Sequence, residues 1–358
     1  MRYRVLVINP GSTSTKIAVF DGDKALFTKT LRHKTEELAQ FDRIIDQYDF
    51  RKGLVMDSMK EYEIDPFTLE AVVGRGGLVK ALPSGTYIIN EQMLTDLSNS
   101  ELWGRIHASS LGAFIAKAIA DQLGIPSYIV DPVTVDELED VARISGFSPI
   151  ERKSLFHALN IRYCGMMTAG KLSKKYDEIN LIAVHMGGGI SVAVIKKGKV
   201  VDVNNAVLGM GPFSPQRAGA LPIGDLLEMA FSGNYTLQEM KTMLARQGGL
   251  LSYLGTDDGR IVEQRITNGD KKAHLIYSAM CYQICKEIGA CAAVLGGNID
   301  AIFLTGGLAH DNFIVDYIKS HVSFLAEIML FPGEMEMEAL SQGAIRVLKG
   351  LEEAKKYQ

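Results

Sequence analysis

The chain has 358 residues, 47% hydrophobic and 22% charged, a globular balance that excludes disordered, collagen-like and fibrous classes. Its 38 basic and 42 acidic residues give a net charge of −4, so the basic excess of a nucleic-acid binder is missing and no nucleic-acid partner is expected. No stretch offers 18 uninterrupted apolar residues and the opening apolar run is too short for a signal peptide, so neither a membrane span nor a membrane partner is expected.

The first elements are extended. Residues 3–8 form a β-branched run, residues 16–20 return from a polar turn, and Asp21, Gly22 and Asp23 signal a hairpin into residues 25–31. Residues 34–62 read as one or two helices. A short buried strand follows at 71–74 and ends in Arg75, Gly76 and Gly77. The spacing predicts a helix over 107–123, stopped by Gly124 and Pro126, then a strand over 128–130 with Asp131 at its end.

The second half repeats this plan. Residues 181–185 form a strand, Gly187, Gly188 and Gly189 a turn, and residues 190–195 the returning strand. Lys197, Gly198 and Lys199 mark a hairpin into residues 200–203, and a later strand over 301–304 ends in Thr305, Gly306 and Gly307. Residues 274–297 read as a buried helix, and residues 336–356 as a final helix with Leu340, Ala344 and Leu348 on one stripe. A unit of strand, polar turn, strand, hairpin and strand therefore occurs twice, which predicts two α/β domains with mixed sheets. The four cysteines are too few for a disulfide scaffold and form no C-x-x-C pair, which fits reduced thiols in a cytoplasmic protein.

Chemistry concentrates in the two turns. The first places Asn9 before Gly11, Ser12, Thr13, Ser14 and Thr15 and closes on Lys16. Hydroxyls and backbone N–H groups in a tight turn form an anion nest, and Lys16 adds a positive charge. A P-loop would need a second glycine before the lysine and a helix after it, whereas a strand follows here. In the second turn, three consecutive glycines let a backbone approach a ligand closely, and His185 stands beside them.

Asn-x-Gly followed by hydroxyl residues and a lysine resembles the first signature of the acetate and butyrate kinases. His-x-Gly-x-Gly-x-Ser, here His185 with Gly187, Gly189 and Ser191, looks like their second. The resemblance continues in family order through Arg75, His107, Asp131, His157, Arg217, Asp258 with Arg260, Gly306 with Gly307, and Pro332 to Glu334. The length and the stretches GRGG, PSGTY, SLFHALN and FPGEMEMEAL are more similar to the butyrate kinase branch.

The resemblance implies two duplicated ribonuclease H-like domains with mixed sheets flanking a nucleotide cleft. Residues 1–154 with 338–358 would form the acyl-substrate and phosphate domain, and 155–337 the nucleotide-binding domain. It implies reversible phosphoryl transfer between ATP and a short-chain fatty acid, giving ADP and an acyl phosphate with Mg²⁺. A homo-oligomer is the expected assembly. Arg75, Arg217, His157, His185 and Asp131 are the implied catalytic residues. Ser12, Ser14, Lys16, the three glycines 187–189, Asp258, Arg260, Gly306 and Gly307 are implied in nucleotide binding. Asn9 and Glu336 are implied near the metal, with Glu334 as the neighbouring alternative. A preference for acetate or propionate, a sugar kinase, and a chaperone- or actin-like ATPase are the competing readings.

Two departures from the acetate kinase pattern carry expectations. Arg75 falls three residues later than the family arginine, in the turn itself. Gly74 replaces a valine, which predicts an opened acyl pocket that favours four-carbon acids.

Overall fold

The computed structural model describes residues 3–99, 102 and 107–358, and the chain divides into two units. The first comprises residues 3–135 and 335–358, and the second residues 136–334.

In the first unit, β1 (Arg4–Pro10), β2 (Ser14–Asp21) and β3 (Lys24–Arg32) form an antiparallel meander. β4 (Ala71–Gly74) pairs parallel with β1, and β6 (Ser127–Val130) parallel with β4. β5 (Thr86–Ile88) is antiparallel to β6, and the C-terminal strand Lys355–Lys356 lies parallel to β5. Val5 to Ile8 and all of β4 are buried, the mark of strands covered on both faces. The Leu111–Leu123 and Glu336–Leu348 helices pack on these strands.

Near its start, after a short helix over Asp140–Arg143, the second unit has a small hairpin of β7 (Ile144–Phe147) and β8 (Ile150–Glu151). Its main sheet has β9 (Asn180–Met186), β10 (Ile190–Lys196) and β11 (Lys199–Val203) as the meander. β12 (Ala301–Gly306) pairs parallel with β9, and β13 (Ile328–Pro332) parallel with β12. Lys197 and Gly198 both have positive φ, as a two-residue hairpin with the right twist requires.

The spatial orders β3-β2-β1-β4-β6 and β11-β10-β9-β12-β13 are the same, with the same strand directions. The duplicated, ribonuclease H-like plan expected from the sequence is therefore present. In each copy the turn after the first strand and the end of the parallel fourth strand fall at one sheet end.

Three boundaries differ from expectation. The units part between 135 and 136 and between 334 and 335, rather than at 154/155 and 337/338. The cause is local pairing, since residues 136–152 attach to β11. Glu139 N–H donates to Val201 O, Val200 N–H to the Glu137 carboxylate at 3.2 Å, and Arg152 pairs with Asp202 at 2.6 Å. The final helix ends at Leu348 instead of running to 356, and Gly350 turns the chain with a left-handed φ of 67°. The tail then stitches β5. The Tyr357 hydroxyl donates to Asp96 at 2.8 Å and accepts from Lys80 N–H at 3.0 Å. Tyr357→Phe is expected to cost about 2 kcal/mol, because both bonds of the hydroxyl are lost while Asp96 keeps the Lys80 ammonium. A thermal melt would report this as a fall of about 4–8 °C.

The 274–297 prediction corresponds to a helix over Lys271–Val294 that packs on β9 and β10 within the core of the second unit. All four cysteines are free and buried, and burial pushes the Cys164 and Cys285 thiols up to about 11. Among the described residues, no helix is long and apolar enough to cross a membrane.

Candidate active site

The first turn joins β1 to β2. Asn9 and Lys16 are cross-strand partners at its base, Ser12 and Thr13 are exposed at its tip, and Ser14 is half-buried. Its carbonyl oxygens are turned inwards. Those of Gly11 and Ser14 accept from Arg51 Nη1 at 2.8 and 3.1 Å, and that of Ser12 from Nη2 at 3.2 Å. The Thr13 carbonyl accepts from His33 N–H at 2.9 Å. Thr15, fully buried, accepts from Arg51 Nη1 at 3.1 Å and meets His33 Nε2 at 2.9 Å. Burial and the neighbouring Arg51 charge hold the His33 imidazole below its ordinary pKa.

Arg75 follows β4 and is anchored by its backbone N–H to Ile8 O at 2.8 Å. Its guanidinium is buried and pairs with Glu336 through Nη2 at 3.0 Å. The other Glu336 oxygen accepts from Asn9 Nδ2 at 2.7 Å. Asn9, Arg75 and Glu336, from β1, the turn after β4 and the start of the last helix, therefore form one cluster. Arg75 Nη1 is buried without a hydrogen-bond partner among the described residues, so a forked donor has one tine committed and one available. Glu334 lies instead in the second unit, its carboxylate beside Gly187.

Asp131 is buried with a φ of 39° and clamps the turn before β5. Its carboxylate accepts from Gly85 N–H at 2.6 Å, and its own N–H donates to Gly85 O at 3.1 Å. His107 caps the short helix Ala108–Ser110 through its Nδ1, which accepts from Ser109 N–H at 3.2 Å.

Gly74 does not open a pocket. A Cβ on it would overlap the Gly112 carbonyl and stand 2.8 Å from Ala113 N. A Cβ on Gly112 would in turn lie 2.6 Å from Arg75 N. The pair lets the Leu111–Leu123 helix touch β4 backbone to backbone, so the expected acyl space is filled by main chain.

In the second unit, His157 and His185 stack with centroids 3.9 Å apart and planes 12° apart. His157 Nδ1 meets Ser191 Oγ at 2.8 Å, and His185 Nδ1 meets Asn160 Oδ1 at 3.0 Å. Asn160 Oδ1 also accepts from Thr305 Oγ1 at 3.1 Å, which ties the first turn of the Ala158–Lys171 helix to β12. Arg217 lies across the glycine turn and donates through Nη1 to Ala206 O. A Cβ on Gly189 would stand 2.6 Å from Arg217 Cζ. Ser214 fixes the same loop, accepting from Arg217 N–H at 3.1 Å and donating to Gly188 O at 2.7 Å. The sequence thus places His157, His185, Arg217 and all three glycines in one locality.

The remaining predicted residues divide: Asp258 and Arg260 start a separate helix, whereas Gly306 packs against Met186 beside the glycine turn. Asp258 caps the Gly259–Thr267 helix, accepting from Arg260 N–H at 2.9 Å and pairing with the Arg260 guanidinium at 2.6 Å. Those bonds hold its carboxyl at about 2. Gly306 has a φ of 88°, and a Cβ there would lie 2.8 Å from Met186 C. That approach lets Gly306 and Gly333 exchange backbone bonds at 3.1 and 3.0 Å, and Gly307 then opens a short helix over Gly307–His310.

Sequence reasoning missed Arg51, His33, Asn160 and Ser214 as supports of the site, and it read Thr15 as a hydroxyl open to an anion, whereas Thr15 is fully buried against Arg51. A signal for Arg51 existed: it begins the stripe Arg51, Val55, Met59 on the buried face of the Tyr48–Glu61 helix, where a cation is out of place.

Comparison with known proteins gives the chain its family. A family model described as the acetokinase family matches residues 150–329. Butyrate kinase 1 of Clostridium acetobutylicum is 50% identical over 355 residues, covering 99% of each chain. The acetate kinase structure of Porphyromonas gingivalis superposes with a TM-score of 0.78 at 19% identity, over 96% of this chain and 99% of that one. That of Entamoeba histolytica gives 0.76 at 19% identity with the same coverage. The structural likenesses show the fold, and the full-length identity shows the line of descent: this chain belongs to the acetokinase family.

Proposed function

We propose that this chain is an ATP-dependent butyrate kinase, reversibly converting butyrate or a branched relative to its acyl phosphate with release of ADP. The observation that carries the reading is the 50% identity, end to end, with a butyrate kinase.

The chemistry suits the residues. A carboxylate with a pKa near about 4.5 is already ionised at pH 7, so the nucleophile needs no general base. The barrier lies in bringing an anionic carboxylate against an anionic phosphate. Cationic donors fixed in advance lower it by neutralising charge on the transferring group. Arg75, with Nη1 available, and Arg217, seated on Gly189, serve that purpose. His185 and His157 add imidazole rings held in place by Asn160 and Ser191. Asp131 keeps the turn beside β5 in place. Ser12, Ser14, Lys16 and the three glycines 187–189 contribute hydroxyl, ammonium and backbone donors toward phosphate oxygens. Asp258, Arg260, Gly306 and Gly307 shape the nucleotide side of the second unit.

Asn9 and Glu336 fit a magnesium ion. They would supply one carboxylate and one amide oxygen, the hard oxygen donors that Mg²⁺ takes, and those groups here bond each other and Arg75. When bound, the ion would supply charge neutralisation at the β- and γ-phosphates.

A homo-oligomer in the cytoplasm completes the proposal. Exposed Ile223, Leu227, Phe231 and Leu237 support an assembly surface, and four free thiols support a reducing compartment.

The test is ATP- and Mg²⁺-dependent acyl phosphate formation, trapped with hydroxylamine, across acetate, propionate, butyrate, isobutyrate and valerate. A maximum at four carbons is expected. A maximum at acetate would keep the kinase and remove the butyrate assignment. Nucleotide turnover without product from any acid would remove the carboxylate kinase.

A further inference from the structure

Arg51 is 1% exposed, yet no carboxylate pairs with it among the described residues. Its acceptors are neutral: the carbonyls of Gly11, Ser12 and Ser14, Thr15 Oγ1, and Gln47 Oε1 at 2.8 Å. Burying a lone cation in this way is costly, and desolvation holds its pKa down at about 10. A purely structural tie could be made by a neutral side chain, so the charge calls for a reason.

The geometry supplies one. Arg51, with the His33 N–H on Thr13 O, engages the carbonyl of every residue from Gly11 to Ser14. Carbonyl oxygens that would repel a phosphate are thus drawn to the rear of the turn. Ser12 and Thr13 are left exposed at its front. An uncompensated positive charge then sits directly behind the turn that the sequence reads as an anion nest, where low dielectric makes it count for more.

We propose that Arg51 is a positioning residue for phosphate binding: it orients the Gly11–Ser14 turn and biases it electrostatically toward the nucleotide's phosphates, without touching them. This rests on the carboxylate kinase reading for its substrate, though not for its binding test.

The experiment compares Arg51→Met, Arg51→Lys and Thr15→Val with the parent enzyme in steady-state kinetics and in calorimetric titration with ATP and Mg²⁺. Arg51→Met is expected to raise KM and Kd for ATP about tenfold, with KM for butyrate within about twofold. Arg51→Lys keeps the charge and loses the fork, so its effect is smaller and in the same direction. Damage to the fold alone would lower kcat through the active fraction and leave KM for ATP unchanged. An ATP KM and Kd within about twofold of the parent would overturn the proposal. If Arg51→Met does not fold, the other two variants decide by the same ratio. If the parent forms no acyl phosphate, the kinase reading fails, and the titrations still decide the role of Arg51.

Discussion

Gly189→Ala is expected to lower turnover by about 10²- to 10³-fold, the range seen when one preorganised charge-stabilising donor is lost. The argument is steric. The new methyl would occupy the place of the Arg217 guanidinium, 2.6 Å from its Cζ, and Arg217 would have to leave Ala206 O. Gly189 has an ordinary φ, so alanine adds no backbone strain, and the thermal midpoint should move little. If the effect passes through Arg217, Gly189→Ala with Arg217→Ala should be no slower than the worse single variant. Additive losses in that cycle would show that Gly189 acts on something else.

Gly74→Val is expected to destabilise the first unit and to leave acid preference unaltered. A valine there must displace the Gly112 carbonyl, and overpacking against main chain costs about 3 kcal/mol or more, since no side chain can swing aside. The thermal midpoint should fall by about 6–12 °C. Gly112→Ala should fall with it, because its Cβ meets Arg75 N from the other side. The butyrate-to-acetate ratio of kcat/KM should stay within about twofold. A shift toward acetate in a stable Gly74→Val enzyme would restore the pocket expectation and refute the packing account.

The duplication was legible because its parts are local. A hairpin such as Lys197–Gly198 requires positive φ, a parallel strand such as β4 requires a wholly apolar run, and both requirements appear in consecutive residues. Loop attachment was not legible. Residues 136–152 join the second unit through bonds to residues 200–202, a pairing of two distant segments that composition does not encode. Nor was the end of the last helix, where Leu348 continues an apolar stripe but Gly350 and the pairing of Lys355–Lys356 with β5 stop it. Gly74 was misread for a related reason: a missing side chain can mean space for a ligand or space for a neighbour, and only the neighbour's position tells which.

By itself the sequence determined that two α/β copies carry two glycine-bearing turns, and which residue types those turns offer to an anion. Periodicity and turn chemistry act between near neighbours, so a linear reading recovers them. The tertiary structure alone decided what each side chain does there. It joined Arg75 to Glu336 and Asn9, seated Arg217 on Gly189, stacked His157 on His185, and put Arg51 behind the first turn. Each of these contacts spans from 28 to 327 residues of chain and is fixed by packing, which no local pattern contains.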